Sequence, residues 1–136
     1  MKVGMTLGAA ADVNLARSFT RVPALNMRQR VILPGVLLTA ARALLDNGVP
    51  SQQTCRAFFV PGRIELLGKH TDYGGGPSAV CAVERGIVIV ACERTDGAVV
   101  IHDAQTGQRV SIAPPDDNGQ EPGWARYTGA VVLRGA

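Results

Sequence analysis

Aromatic residues are scarce in this chain: three Phe, two Tyr and one Trp, 4% of the total. A core without aromatic bulk has to be filled by Val, Leu, Ile and Ala. Histidine is rarer still, and His70 and His102 stand too far apart in sequence for a zinc-ligand pair. The three cysteines, Cys55, Cys81 and Cys92, show no metal-ligand spacing and cannot all pair with one another. Such a set suits a reduced, cytoplasmic setting. No apolar run approaches the ~20 residues of a membrane span. The net charge of +3 is mild and spread along the chain. Without a basic run interleaved with aromatics, nothing points to a nucleic-acid partner. Internal repeats and low-complexity tracts are also missing.

The first thirty residues carry Lys2, Arg17, Arg21, Arg28 and Arg30 against one acid, Asp12. They lack the compact apolar core of a secretory signal. Residues 1–33 therefore read as a loosely ordered N-terminal extension, and residues 34–136 as the folded part.

What remains is globular in composition, with 46% hydrophobic and 18% charged residues in 136. That suffices for one domain with a modest core. Pro34 is expected to open a helix over Gly35 to Asn47, with Val36, Leu37, Ala40, Ala41, Leu44 and Leu45 on one face. Gly48 and Pro50 end it. The texture then changes to strands. Ala57 to Val60 and Ile64 to Leu67 read as short runs split by Pro61-Gly62, and Lys69 to Pro77 as a loop. Ser78 to Val83 fits strand or helix, and Gly86 to Cys92 reads as a buried strand. The turns Asp96-Gly97 and Thr106-Gly107 separate further β-branched runs into a meander of antiparallel hairpins. After a Pro/Asp/Gly connection, Pro122 sets a last helix, with Trp124, Tyr127, Thr128, Val131 and Val132 on one face. The fold class is α+β.

The chemistry concentrates in Val60-Pro61-Gly62-Arg63-Ile64-Glu65-Leu66-Leu67-Gly68-Lys69-His70-Thr71-Asp72-Tyr73-Gly74-Gly75-Gly76. These are the parts needed to hold a polyhydroxylated, charge-developing substrate, since carboxylates and imidazoles hold neutral hydroxyls as directional acceptors and donors. Asp72 can accept from two adjacent hydroxyls, and His70 can reach a third. In an extended loop these alternate side chains point into one pocket. The plainer alternatives are a loop carboxylate capping backbone amides and a surface histidine. Arg63 follows a Pro-Gly turn, and its guanidinium, always charged, can stabilise a transferring phosphate. Its plainer alternative is a surface ion pair. Rival motifs fail: Arg63 stands where a P-loop needs glycine, His70 interrupts Gly-Lys-[Ser/Thr], and the glycine run opens no dinucleotide-binding helix. Ser78 has no evident base partner.

This block resembles the N-terminal signature of galactokinases, members of the GHMP family of small-molecule kinases. That family reads Pro-Gly-Arg, an apolar run, then Gly-Glu-His-Thr-Asp-Tyr-x-x-Gly. Trp124-Ala125-Arg126-Tyr127-Thr128-Gly129 is similar to the family's Trp-x-x-Tyr-x-x-Gly stretch, with the glycine one position early. The resemblance implies a ribosomal-protein-S5-domain-2-like N-terminal domain, incomplete in this chain. It implies Arg63 as a catalytic residue, Lys69, His70, Asp72 and Tyr73 as sugar-binding residues, and Trp124 at the adenine pocket. The partners it implies are a small sugar and ATP, with Mg2+ held mostly by ligands outside this chain. No residue here is implied as a metal ligand.

The implied activity is the front part of an ATP-dependent sugar 1-kinase, acting on the anomeric hydroxyl of galactose or a related sugar. The family's phosphate loop, Pro-x-x-x-Gly-Leu-x-Ser-Ser, and its catalytic aspartate have no counterpart here, so the chain alone should be inactive. A non-catalytic sugar sensor and a truncated gene product are the alternatives. Two positions depart from the family pattern. Lys69 replaces the glutamate that holds a distal sugar hydroxyl, and Glu65 replaces an uncharged residue, so the two can compensate in charge. These departures weaken galactose more than they weaken a sugar kinase.

Overall fold

The computed structural model describes residues 2–18, 25–112 and 123–135. Its longest helix, α3, runs Met27–Asp46 and so begins well before Pro34. The early start has a local cause. The Asn26 side chain accepts from the Gln29 N–H, and the Gln29 side chain accepts from the Asn26 N–H, forming a reciprocal capping box. That cap nucleates a turn ahead of the proline, which then sits buried inside the helix. The expected stop holds: Gly48 takes φ +84° and its N–H donates to the Leu45 carbonyl. The buried stripe is Leu33, Pro34, Leu37 and Ala41, while Val36, expected on it, is exposed.

The described N-terminal residues, expected as a loose extension, form regular elements. β1 (Lys2–Thr6) pairs antiparallel with β2 (Thr54–Leu67), Met5 facing Cys55. α1 (Leu7–Ala10) follows, capped by the Thr6 hydroxyl on the Ala9 N–H, and then α2 (Val13–Ser18). Leu7 and Cys55 are the largest fully buried side chains, with Ala10 and Ala41 beside them. Burying a leucine stabilises by about 1.5–3 kcal/mol. A segment poor in pattern thus supplies the centre of the core.

β2 is one continuous strand rather than two, and it pairs antiparallel with β3 (Ala79–Cys92). Pro61 does not break it, because the ladder is irregular there. Between the pairs Pro61–Gly86 and Arg63–Ala82, Gly62 alone faces Val83, Glu84 and Arg85. This bulge is anchored from outside. Glu84 accepts from the Asn26 amide at 3.3 Å and Arg28 at 3.4 Å, and its carbonyl accepts from Gln29 at 3.2 Å. The start of α3 therefore clasps the bulge.

The Gly86 to Cys92 segment is half covered rather than buried. Val88 and Val90 pack toward the helices, whereas Ile87 and Ile89 are 67% and 46% exposed. One face of the sheet meets α3, and the other presents apolar side chains.

β4 (Val99–His102) and β5 (Arg109–Ile112) form a separate antiparallel hairpin, so the expected meander breaks after β3. Asp103 shapes its turn by accepting from the N–H groups of Gln105 and Thr106 and from the Thr106 hydroxyl. Those bonds hold the Asp103 carboxyl below its ordinary range. α4 (Gly123–Gly135) buries Ala125 against Val110 and Ile112. The expected apolar face is rotated, since Tyr127 and Val131 are 81% and 72% exposed. Small residues let the helix approach the hairpin, which moves the larger ones outward. The connection before α4, with Pro122, lies outside the described residues.

Candidate functional site

The candidate site is built from the far half of β2 and the loop that returns the chain to β3. Arg63 lies just past the bulge, opposite Ala82, and is exposed. Bulges locally twist a strand and re-aim its side chains. Among the described residues Arg63 takes part in no ion pair.

The loop opens at Gly68, which has φ +89°. A Cβ there would lie 2.5 Å from the Pro77 carbonyl oxygen and 2.8 Å from the Ser78 Cα. Only glycine allows the loop's two ends to approach so closely. Thr71 then ties them together. Its hydroxyl lies 2.7 Å from the Gly68 carbonyl oxygen and 3.2 Å from that of Pro77. Its N–H donates to Gly68, and its own carbonyl accepts from the N–H groups of Gly74 and Gly76.

Inside this clasp a single 3₁₀ turn spans Asp72–Gly74. The alternation argument for His70 and Asp72 is corrected by this geometry. His70 has φ +68°, a left-handed backbone, so the segment is coiled and successive side chains do not alternate as on a strand. Instead the His70 ring stacks on Tyr73, with centroids 5.8 Å apart and planes at 19°. The Asp72 side chain lies outside what the structure describes.

Arg63, Lys69, His70 and Tyr73 are all exposed around this end of the β2–β3 pair. Lys69 makes no ion pair with Glu65 among the described residues. A cation, an imidazole and a phenol are thus left available on one loop. Thr71, which organises it, was not singled out from the sequence. A threonine three residues after a glycine in a glycine-rich loop is the available signal, since its hydroxyl can close a local turn.

Trp124 lies elsewhere, at the start of α4. Its indole N–H donates to the Gln108 side-chain oxygen at 2.8 Å, and it packs against the Val110, Ile112 and Ala125 cluster. It is half-buried, so part of the indole remains available to a ligand. Among the described residues no cluster of three or more His, Cys, Asp or Glu side chains could hold a metal ion.

The buried Cys55 does not offer a nucleophile. Cys55 faces Cys92 across the β2–β3 ladder, and both are free thiols. Burial first, then the neighbouring Cys92, pushes the Cys55 thiol up to about 11. A thiol that stays protonated neither attacks a substrate nor binds a metal readily.

Comparison with known proteins meets the same segment. Residues 49–93 match the galactokinase galactose-binding signature. The galactokinase of Bacillus subtilis is 38% identical over 80 residues, covering 57% of this chain and 20% of that enzyme. The galactokinase of Lactiplantibacillus plantarum is 49% identical over 49 residues, 36% of this chain and 13% of its own. The Bos taurus galactokinase is 33% identical over 105 residues, 71% of this chain and 26% of its own. The shared stretch spans between 13% and 26% of the length of these relatives. No solved structure matches the chain. Among the described residues no helix is long and apolar enough to cross a membrane. Over the stretch it shares with these enzymes, the chain is galactokinase-like, with the galactose-binding signature carried on β2, the clasped loop and β3.

Proposed function

We propose that this chain is the sugar-binding front portion of an ATP-dependent sugar kinase acting on the anomeric hydroxyl of galactose or a related sugar. The observation that carries this reading is the coincidence of the galactose-binding signature, residues 49–93, with the two strands and loop described above. The α+β arrangement is compatible with the S5-like N-terminal domain of GHMP kinases. In this reading His70, Asp72 and Tyr73 hold the sugar, Lys69 reads its distal end, and Arg63 stabilises charge at the reacting hydroxyl. Trp124 offers its free face to adenine. The remaining length of a galactokinase supplies the phosphate loop, the base and the Mg2+ ligands, so the chain alone turns over nothing. Ile64, Leu66, Leu67 and Val80, all more than half exposed, give that remainder an apolar surface to cover. A reducing cytoplasmic setting completes the proposal and suits three free thiols.

Asp72→Asn tests the sugar assignment in a full-length galactokinase-like polypeptide carrying this chain. An amide replaces one acceptor by a donor, so a hydroxyl pair that fitted a carboxylate meets a mismatch. Such a buried mismatch costs about 1–3 kcal/mol. Calorimetric titration should show D-galactose affinity falling by that amount while ATP affinity stays unchanged. Equal sugar affinity for both forms would make Asp72 a loop cap and remove it from the site.

Lys69→Glu tests specificity. A lysine cannot accept a hydrogen bond from a sugar hydroxyl but attracts an acidic substituent. The lysine form should therefore favour a sugar altered at its distal end, such as a uronic acid. The glutamate form should shift preference toward galactose by roughly ten- to a hundredfold. A panel of aldoses and uronic acids assayed with both forms decides the matter. An unchanged ranking would mean that Lys69 points to solvent and reads nothing.

A further inference from the structure

Thr71 lies between two proposed sugar ligands, His70 and Asp72, and is held by hydrogen bonds through its hydroxyl, its N–H and its carbonyl. Its hydroxyl bridges toward both ends of the loop, at Gly68 and Pro77. Its carbonyl gathers the Gly74 and Gly76 N–H groups at 3.0 and 2.8 Å. Its Cβ lies only 3.0 Å from where a Cβ on Gly76 would sit, so the glycine run folds directly over it. The neighbouring His70 meanwhile holds φ +68°, which is unfavourable for a residue with a side chain. Such a conformation persists only where the surroundings over-determine it. On the described residues that surrounding is the Thr71 clasp, because the loop is otherwise exposed and borders no buried core.

We infer that Thr71 is the positioning residue of the sugar loop. By closing Gly68 onto Pro77 through its hydroxyl, it holds His70 in its left-handed turn and stacked on Tyr73, and so presets the ligands on either side. The inference rests on the sugar-site reading above for the meaning of the loop, and it touches no reacting atom itself. Preset ligands gain affinity because the ordering cost is met before the sugar arrives. A loop of glycines without the clasp would sample many conformations and meet that cost on binding.

The test compares the 136-residue chain with Thr71→Val and Thr71→Ser. Valine keeps the shape and β-branching but removes the hydroxyl, whereas serine keeps the hydroxyl and loses a methyl. Amide exchange at Gly74 and Gly76, and the ring-current shifts that Tyr73 imposes on the His70 protons, are read by NMR. Unchanged shifts along β2 and β3 show that each variant is folded. Thr71→Val should speed exchange at both glycines about fivefold or more, and move the His70 ring protons toward their free values. Thr71→Ser should restore both readouts to near wild type. Wild-type exchange and ring shifts in Thr71→Val would overturn the inference. Equal losses in valine and serine forms would overturn it too, because the hydroxyl would then not be the cause.

D-galactose titrated into the same samples separates this result from the functional reading. Wild-type shifts at His70 and Thr71 that saturate, with several-fold weaker binding in Thr71→Val, support both. Saturating shifts of equal affinity in both forms would sink the positioning role alone. A wild-type loop that is protected as expected yet blind to galactose would sink the sugar site, and with it the purpose assigned to Thr71.

Discussion

Arg63→Ala should lower turnover by roughly a hundred- to a thousandfold in a full-length galactokinase-like polypeptide that carries this chain, with the chain alone as the inactive blank. Phosphoryl transfer to a hydroxyl is mostly positioning and charge stabilisation, so a lost cation at the reacting oxygens costs about 3–4 kcal/mol. The geometry makes this side chain available for that work. It stands just past the bulge in the β2–β3 ladder, exposed, with no carboxylate partner among the described residues. An arginine engaged in a surface pair would contribute at most about 1 kcal/mol to stability and nothing to rate. Turnover and sugar affinity divide the two outcomes. A fall in kcat with little change in galactose binding marks an interaction made in the transition state. Turnover within a few-fold of the parent would return Arg63 to the surface.

The helix and the strands were legible where periodicity was strong, and their limits were set by contacts that periodicity does not carry. Leu37, Ala41, Leu44 and Leu45 announced α3, but its start depends on the Asn26–Gln29 capping box, which outweighs the proline that seemed to mark it. A buried proline inside a helix removes one hydrogen bond, and packing offsets that loss. The N-terminal segment was illegible for a different reason. Thr6, Leu7 and Ala10 form too short a pattern to read alone, and Leu7 becomes central only because β1 pairs with β2. Non-local pairing of this kind leaves little trace in a single sequence. That Arg63, Lys69, His70 and Tyr73 share one strand-and-loop segment was legible, since their adjacency in sequence fixes it. Their arrangement was not: the stack of His70 on Tyr73 comes from a left-handed turn that Thr71 and Gly68 impose. Backbone geometry in a glycine-rich loop is chosen by a few hydrogen bonds, and the residues alone permit several.

Gly86→Ala should destabilise the chain by about 1–3 kcal/mol, with a drop in Tm of several degrees, because the added methyl group overpacks the sheet beside the bulge. Gly86 faces Pro61 in the ladder, with the Phe59 ring close by. A Cβ at Gly86 would lie 2.3 Å from the Val60 carbonyl oxygen, 2.7 Å from the Phe59 ring and 2.8 Å from the Pro61 Cα. Two of those three neighbours are strand backbone, which cannot rotate away, so β3 must lift off β2. That lift falls two residues before Arg63 on the facing strand and next to the bulge residues Val83, Glu84 and Arg85. Glu84 is meanwhile held by Asn26, Arg28 and Gln29, so the displaced strand cannot slide without breaking the clasp from α3. Gly4→Ala is the matched control. Gly4 also sits in the sheet, opposite Arg56, yet a Cβ there meets nothing within 4 Å. Its substitution should leave Tm unchanged or raise it slightly by reducing the freedom of the unfolded chain. Thermal unfolding of both variants, followed by circular dichroism, gives the comparison. If Gly86→Ala melted with Gly4→Ala, the two strands would not approach as closely as the bulge requires, and the placement of Arg63 at its edge would lose its structural basis.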